Sequence, residues 1–321
     1  MKKLLKALLI LAILAILGLG LAFLLIYGPN FGIYLKKPSP QSYVEQAVKA
    51  MDSQGIYSDS TEWKAVREET LEKAAHIGSY EEAYPLLESA LKAVGGKHSK
   101  LIAPGTQKEA AATKTPECVM GADGILTIRL PEFTGDSTAG AQYAKSVHDA
   151  IRRHEKDLRS GVILDLRGNT GGDMGPMVAA VSSVLPDGEL MHFGIHGTLR
   201  PVTLKQGCVT GGGSTVTVED PFKVRDIPVA ILQDDMTASS GEATLLCFRG
   251  LEYTRTFGGP SAGYCSCNNV IKLYDGAAML LTMGVDIART GEEFCEDPIA
   301  PDVVTDQPEQ AAAKWIAGYE R

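Results

Sequence analysis

The sequence predicts an α/β fold that is preceded by a helical region and by an N-terminal transmembrane helix. Three observations carry this prediction. Residues 7–27 form an unbroken apolar run, residues 41–95 show helical periodicity, and strands and helices alternate from Gly124 onward. We therefore expect four segments: a membrane anchor (1–30), a stalk (31–40), a helical region (41–97), and a cap with an α/β core (98–321).

The N-terminal run from Ala7 to Tyr27 is long enough to cross a bilayer as a helix, which takes roughly 20 residues. Lys2, Lys3 and Lys6 precede it and favour a cytoplasmic N-terminus. A cleaved signal peptide is the alternative, but the run is longer than a usual signal core and no clear small-x-small site ends it. We expect an uncleaved single-pass anchor, with the chain after about residue 30 outside the cell.

The composition is that of a folded globular protein, with 45% hydrophobic and 22% charged residues in a chain of 321. The net charge of -8 argues against nucleic acid as the main partner, although an acidic surface can attract a cationic peptide. Six cysteines are present. In an exported protein some could pair, but the sequence selects no pairing and assigns them no role.

Capping signals place two helices of the helical region. Asp59 and Glu62 stand at capping-box spacing before the second helix, and Ser79 and Glu82 stand at the same spacing before the third. The Gly95-Gly96 pair ends the third helix, because glycine is the usual residue at a helix C-terminus.

The α/β region begins with an alternating strand over 124–131, and a helix follows over 138–157. The segments Gly161–Leu166 and Pro228–Gln233 are largely apolar, which is typical of strands that are buried on both faces of a sheet. Further helices are expected over 176–185 and 307–319.

The segment Thr237–Glu242 lies between the apolar strand Pro228–Gln233 and a predicted helix that includes Ala243–Phe248. A serine at such a helix N-terminus lies in a positive local field, where free N–H groups can hold an anion. A nucleophilic hydroxyl is useful there, because attack on a carbonyl creates an oxyanion that needs donors. The alternative is that Ser239 or Ser240 is only an N-cap.

Four segments form a combination that is more specific than any one of them: Gly95–Ser99, Asp165–Gly172, Thr237–Glu242 and Glu296–Asp302. The second is Asp-Leu-Arg-Gly-Asn-Thr-Gly-Gly, and the third contains Thr-Ala-Ser. Together they resemble the S41 peptidases, the superfamily of tail-specific and tricorn-core proteases. The resemblance extends over about residues 41–305 and implies a ClpP/crotonase-like core that hydrolyses peptide bonds.

The resemblance also implies roles for the residues. Ser239 would be the nucleophile, and Ser240 would supply one backbone N–H to the oxyanion hole. Gly171 or Gly172 would supply the other, and glycine suits this position because it lets backbone N–H groups approach a ligand closely.

The general base departs from the tail-specific pattern. Those proteases use a lysine at the position that Tyr264 occupies here, and Lys272 is out of register. Because a tyrosine is a poor base at neutral pH, His98 is the predicted base. By resemblance to the tricorn-like branch, Glu296, with Glu293 as second choice, would orient the imidazole. A Ser–His dyad without a carboxylate stays open.

The order and length of the segments indicate which S41 subgroup the chain resembles. Only about 25 residues separate His98 from the next strand, which is too few for the PDZ domain of tail-specific proteases. An N-terminal span, a helical region, no PDZ domain and a Thr-Ala-Ser-Ser turn are similar to the nisin resistance proteins, a subgroup of S41. That resemblance implies that Asn169, Thr170, Asp173 and Met174 contact the peptide. For the last two, a helix N-terminus and a core methionine are the alternative interpretation.

Two other residue pairs are expected to have structural rather than catalytic or metal-binding roles. Asp165 and Arg167 are expected to form a strand-end pair that holds the glycine turn. His192 and His196 have the spacing of a helical metal pair, but apolar residues alternate with them, which indicates a strand. No metal and no organic cofactor are expected.

The sequence thus predicts a membrane-anchored extracellular serine peptidase whose substrate is a peptide, such as the cationic lantibiotic nisin cut near its C-terminus. Two alternatives remain: a general C-terminal processing peptidase for exported proteins, and a catalytically inactive S41-like protein that sequesters peptides. Disulfide pairing and oligomeric state are not predicted.

Overall fold

The structure is a computed structural model that describes residues 2–28, 33, 35–106 and 114–320. The chain divides into two compact units. The first contains the described residues up to 106 together with Asn268–Thr282, and the second contains residues 114–267 and 283–320.

The first unit is mainly helical. Its helices are α1 (Lys2–Tyr27), α2 (Pro40–Gln54), α3 (Thr61–Ala74) and α4 (Tyr80–Gly95), and a short strand, β1 (Lys100–Ile102), follows them. The second predicted helix begins later than the Asp59 signal suggested, because Ser60 is its cap and accepts the N–H of Trp63 at 3.0 Å. Ser79 caps α4 as predicted and accepts the N–H of Glu82.

The core of the first unit forms where α2, α3 and α4 bury their apolar faces. Its largest buried side chains include Tyr43, Met51, Trp63, Leu87 and Leu91. Each such side chain contributes on the order of 1.5–3 kcal/mol on burial. By contrast, the described apolar side chains of α1 are exposed. Among the described residues, no helix has both the length and the apolar character that a membrane span requires.

The second unit is built on a six-stranded sheet with the order β14-β10-β9-β4-β3-β2. All neighbouring strands are parallel except β2, which is antiparallel to β3. The strands are β2 (Glu117–Met120), β3 (Ile125–Arg129), β4 (Gly161–Asp165), β9 (Val229–Gln233), β10 (Thr254–Gly258) and β14 (Val303–Val304). The carboxyl ends of the parallel strands meet at one edge, where α/β folds place their sites.

Helices cover both faces of this sheet, which explains why β4 and β9 are apolar and fully buried. Val162 and Leu164 of β4 face one core, whereas Ile163 faces a second core that includes Ile316 of the closing helix. The helices are α5 (Ser137–Arg153), α6 (Met174–Ala180), α7 (Ser240–Leu246) and α8 (Pro308–Ala317). The predicted order of elements is confirmed, with helix α6 shorter than expected because a 3-10 turn follows it over Ser182–Val184.

Antiparallel strands complete the fold: β5 (Gly188–Ile195), β6 (Thr198–Lys205), β7 (Cys208–Thr210), β8 (Val216–Thr217), β11 (Ser266–Lys272), β12 (Ala278–Ala288) and β13 (Glu293–Phe294). Within the first unit, the start of β12 pairs with β1, and within the second, Gly284–Ala288 pair with β5. His192 lies in β5, as the alternating pattern predicted, and His196 lies in the turn that follows.

Candidate active site

The nucleophile turn follows β9 and ends where α7 begins. Ser239 is the residue before the helix, and its backbone has φ 53° and ψ −120°, a conformation that non-glycine residues rarely adopt. Such backbone strain persists only where the surrounding structure fixes it, and it concentrates at functional sites. Two bonds fix this turn: the hydroxyl of Thr237 donates to Leu166 O at 3.0 Å, and Ala238 N–H donates to Asn169 O at 2.9 Å.

The glycine turn after β4 lies directly against Ser239, the predicted nucleophile. Gly171 has φ 104°, and a Cβ on it would lie 2.7 Å from the Cβ of Ser239 and 3.1 Å from the nitrogen of Ser240. Gly172 has φ 109°, and a Cβ on it would lie 1.9 Å from Phe133 O. Both positions therefore require glycine, for conformation and for space.

The glycine turn is held by Asn169, which is fully buried. Its Nδ2 donates to Leu130 O at 2.9 Å, and its Oδ1 accepts the N–H of Gly171 at 2.9 Å. Because the Gly171 amide is engaged in this way, Gly172 is the better of the two predicted oxyanion donors. The Ser240 hydroxyl donates to Gly172 O at 2.6 Å, which keeps the start of α7 beside this amide.

Glu242 ends the Thr237–Glu242 segment, and the sequence analysis assigned it no role of its own. Its carboxylate is 0% exposed, and it accepts hydrogen bonds from Ser239 N–H (2.8 Å), Tyr264 N–H (2.8 Å), Gly263 N–H (2.9 Å) and the Ser261 hydroxyl (2.5 Å). Burial raises its pKa, and these four donors oppose that rise. The carboxylate thus links the backbone of Ser239 to the loop that carries Tyr264. The Ser-x-x-Glu spacing of a capping box was the signal that could have indicated it.

The strand-end pair beside this turn is observed. Arg167 donates from Nε and Nη2 to the two carboxylate oxygens of Asp165, each at 2.8 Å, and Nη2 also donates to Glu309 at 2.6 Å. The bidentate geometry fixes the start of the glycine turn. Gly168 N–H then donates to Asp234 Oδ1 at 3.0 Å, which links this turn to the segment after β9.

The residues predicted to contact the peptide differ in how accessible they are. Thr170 is exposed, whereas Asn169 is buried and its amide is used within the turn. Asp173 is the N-cap of α6, and its Oδ1 accepts the N–H groups of Gly175 (3.1 Å) and Ser214 (2.9 Å). The Met174 side chain lies in the core and is 4% exposed. For these last two residues the structure provides the alternative interpretation, a helix cap and a core side chain.

The predicted base, His98, lies in the first unit, two residues after Gly96 ends α4 with φ 70°. Burial is the main cause that lowers its pKa to about 4, and Lys100 and Lys97 lower it further. The imidazole is therefore neutral at physiological pH, the state that a general base requires. Asn268 lies against the ring, with its Nδ2 3.0 Å from Nδ1 and 3.4 Å from Nε2.

Three other charged residues were considered for the base or its carboxylate partner: Glu296, Glu293 and Lys272. Glu296 is half-buried in the second unit, and Glu293 is exposed at the start of β13. Lys272 is exposed at the end of β11. Within the described part of the chain, no group of three or more His, Cys, Asp or Glu side chains could hold a metal ion.

Comparison with known proteins identifies the family to which the chain belongs. The family model described as Peptidase family S41 matches residues 124–305, which is more than half of the chain and includes both turns of the site. The chain belongs to this family.

One S41 peptidase matches the chain over nearly its whole length, beyond the residues that the family model covers. The chain is 37% identical over 309 residues to the nisin-resistance protein of Lactococcus lactis subsp. lactis, and the match covers 96% of each protein. It is a homologue of that protein. A solved structure of a lipoprotein from Streptococcus agalactiae aligns with a TM-score of 0.79 and 30% identity, covering 89% of this chain and 99% of that one.

A more distant structure confirms the fold. The photosystem II D1 C-terminal processing protease aligns with a TM-score of 0.60 and 14% identity, over 84% of this chain and 94% of that one. At this identity the likeness concerns the fold alone, which is the α/β S41 protease fold with an N-terminal helical region.

Proposed function

We propose that the protein is a serine peptidase at the outer face of the cell membrane that cleaves a lantibiotic such as nisin near its C-terminus. The observation that carries this proposal is the setting of Ser239, which has a strained backbone at the start of α7 and lies against the glycine turn. The near full-length similarity to a nisin-resistance protein supports the choice of substrate.

In the proposed mechanism, His98 takes the proton from the Ser239 hydroxyl as the oxygen attacks the scissile carbonyl. The N–H groups of Gly172 and Ser240 stabilise the oxyanion that forms. His98 then gives its proton to the leaving amine, and water releases the acyl group by the same steps in reverse. The low pKa of His98 keeps the ring unprotonated before each attack. Glu296 is the carboxylate we propose to orient the ring if the site is a triad.

The proposed location rests on the N-terminal segment. Lys2, Lys3 and Lys6 precede a run of 21 residues, Ala7–Tyr27, that contains no charged side chain. The apolar side chains of this run that the structure describes are exposed, so a lipid environment would cover them. We propose that residues 1–30 anchor the protein and that residues 31–40 form the stalk, with the helical region 41–97 and the protease part 98–321 outside the cell.

The decisive experiment is incubation of nisin with the full-length protein in detergent micelles, followed by mass spectrometry. We expect two product masses whose sum is that of nisin plus one water, and we expect Ser239→Ala to abolish them while the thermal unfolding midpoint stays the same. Expression of the protein should raise the nisin tolerance of a host cell, and Ser239→Ala should remove that gain.

The same experiment, repeated with linear peptides, separates the alternatives. A sequestering protein would leave the mass of nisin unchanged while still binding it, and the tyrosine in the lysine position is the observation that favours this alternative. A general processing peptidase would cut linear peptides as well as ring-bearing ones. Cleavage by Ser239→Ala at the parental rate would rule out the proposed nucleophile.

A further inference from the structure

The two amides of the proposed oxyanion hole come from different segments of the chain. The Gly172 N–H belongs to the glycine turn after β4, and the Ser240 N–H belongs to the first residue of α7, where helix amides lack an acceptor within the helix. Neither N–H has a hydrogen-bond acceptor among the residues that the structure describes. Both can therefore serve one oxygen atom of a ligand only if the distance between the two segments is held fixed.

The glycine turn depends on hydrogen bonds for its shape, because glycine restricts backbone rotation very little. Two of these bonds come from Phe133, whose N–H donates to Gly171 O at 3.1 Å and whose carbonyl accepts the N–H of Asp173 at 2.8 Å. The carbonyl of Gly172 is held by another segment. It accepts the Ser240 hydroxyl at 2.6 Å, across 68 positions of the chain.

This bond links the glycine turn to the nucleophile turn at a second point. The first link is the bond from Ala238 N–H to Asn169 O at 2.9 Å, which precedes both Ser239 and the two glycines. The Ser240 hydroxyl instead joins the residue after Ser239 to the second glycine. Among the described residues, this is the hydrogen bond that holds Gly172 to α7.

The hydroxyl of Ser240 does not act as a helix cap. Ser240 is the first residue of α7, and Ser239 occupies the N-cap position. The Ser240 hydroxyl proton goes to a carbonyl of a different segment, so the side chain serves the contact between the two turns.

We propose that the side chain of Ser240 is a positioning group for the oxyanion hole, in addition to the amide that this residue supplies. This inference rests on the proposed function. By donating to Gly172 O, the hydroxyl sets the distance between the Gly172 and Ser240 amides before a substrate binds. Donors that are already in place stabilise an oxyanion better than donors that must first move, because no reorganisation is needed during the reaction.

The test compares nisin cleavage by full-length variants. Ser240→Ala keeps the backbone amide and removes only the hydroxyl. We expect kcat to fall on the order of 10- to 100-fold with KM changed by less than about twofold, because the oxyanion exists only after attack on the carbonyl. Ser240→Thr keeps a hydroxyl on the same carbon and should retain most of the parental kcat.

The matched control is Ser160→Ala. The Ser160 hydroxyl also donates to a distant backbone carbonyl, Asp123 O, at 2.6 Å. Ser160 precedes β4, whereas the glycine turn follows it, so the two bonds lie at opposite ends of the same strand. We expect Ser160→Ala to keep the parental kcat, with a thermal unfolding midpoint close to that of Ser240→Ala.

A second readout separates positioning from substrate binding. Without the Ser239 hydroxyl no oxyanion forms, so the Kd of nisin should be the same, within about twofold, for Ser239→Ala and for the double variant Ser239→Ala/Ser240→Ala. A Kd that rises in the double variant as much as kcat falls in Ser240→Ala would overturn the proposal, since the hydroxyl would then act in binding. A kcat of Ser240→Thr as low as that of Ser240→Ala would overturn it too.

The outcomes also distinguish this inference from the proposed function. If Ser239→Ala is inactive while Ser240→Ala cleaves nisin at the parental rate, only the positioning role of the hydroxyl fails. Cleavage of nisin by Ser239→Ala at the parental rate would remove the proposed nucleophile, and the oxyanion hole beside it would lose its purpose.

Discussion

Ser239, the proposed nucleophile, and His98, the proposed base, are held in position by different contacts. Ser239 is fixed mainly through backbone groups, with its own N–H bound by Glu242 and a glycine pressed against its Cβ. His98 instead follows the end of a helix, and the amide of Asn268, a residue far along the chain, lies against its ring.

This difference explains why the surroundings of Ser239 are easier to predict from the sequence than those of His98. Backbone constraints need particular residue types at fixed spacing, such as Gly171, Gly172 and the strained Ser239, and these leave a short local pattern. A side chain that contacts another across 170 positions leaves no such pattern. Variants at Gly171, Glu242 and His98 test this difference.

Among these variants, we expect Gly171→Ala to reduce nisin cleavage the most. The new Cβ would lie 2.7 Å from the Cβ of Ser239, and alanine disfavours φ 104°. We expect loss of nisin cleavage and a lower free energy of unfolding, by about 1–3 kcal/mol. Kinetics and chemical denaturation measure the two effects.

Gly168→Ala is the matched control for that variant. Gly168 also has a positive φ, 71°, but nothing lies within 4 Å of the position its Cβ would take. Alanine at position 168 would therefore also adopt an unfavourable positive φ, but its Cβ would not collide with a neighbouring atom. Equal activity of the two variants would show that the contact with Ser239 is unimportant and that the backbone constraint on the nucleophile is weaker than we describe.

We expect Glu242→Gln to reduce nisin cleavage less than Gly171→Ala does. Oε2 of the carboxylate accepts from Ser239 and Tyr264, and Oε1 accepts from Ser261 and Gly263. A glutamine can accept from one pair only, and its NH2 group then faces the donors of the other pair. We expect a loss of about 1–3 kcal/mol in unfolding free energy and a fall in kcat on the order of 10- to 100-fold.

Glu292→Gln is the control for the loss of a carboxylate. Glu292 is half-exposed and pairs with Arg249 at 2.7 Å, so its replacement should change stability by less than about 1 kcal/mol. If Glu242→Gln behaved like Glu292→Gln, the carboxylate would not be holding the nucleophile turn.

The sequence predicted the fold well because periodicity and capping are local. The buried strands at Gly161 and Val229, the helical region and the closing helix all follow from such patterns. The glycine turn was likewise indicated by its own residues. Three features could not be predicted in this way. The cap at Ser60 competes with a neighbouring Asp59, and Glu242 and Asn268 contact residues that are distant along the chain.

The last expected effect leaves nisin cleavage at neutral pH unchanged: it is a pH dependence of stability that comes from His98. Burial, Lys100 and Lys97 lower the pKa of His98 in the folded protein to about 4, whereas the pKa of a histidine in the unfolded chain is about 6.5. Between these two values the unfolded chain binds a proton that the folded protein does not, so stability rises with pH across this window. The loss on acidification should therefore begin below about pH 6.5 and end near pH 4.

Replacing the titrating ring tests that window. We expect His98→Asn to lose less unfolding free energy than the parent between pH 7 and pH 4.5, as measured by urea denaturation, because asparagine has no proton to bind. The acidic limb of kcat/KM for nisin in the parent should fall near the same pKa of about 4, since kcat/KM reports the free enzyme. Parallel stability curves for the parent and His98→Asn would mean that His98 titrates alike in both states. His98 would then be a solvated side chain, unlike the buried ring that its pKa of about 4 indicates.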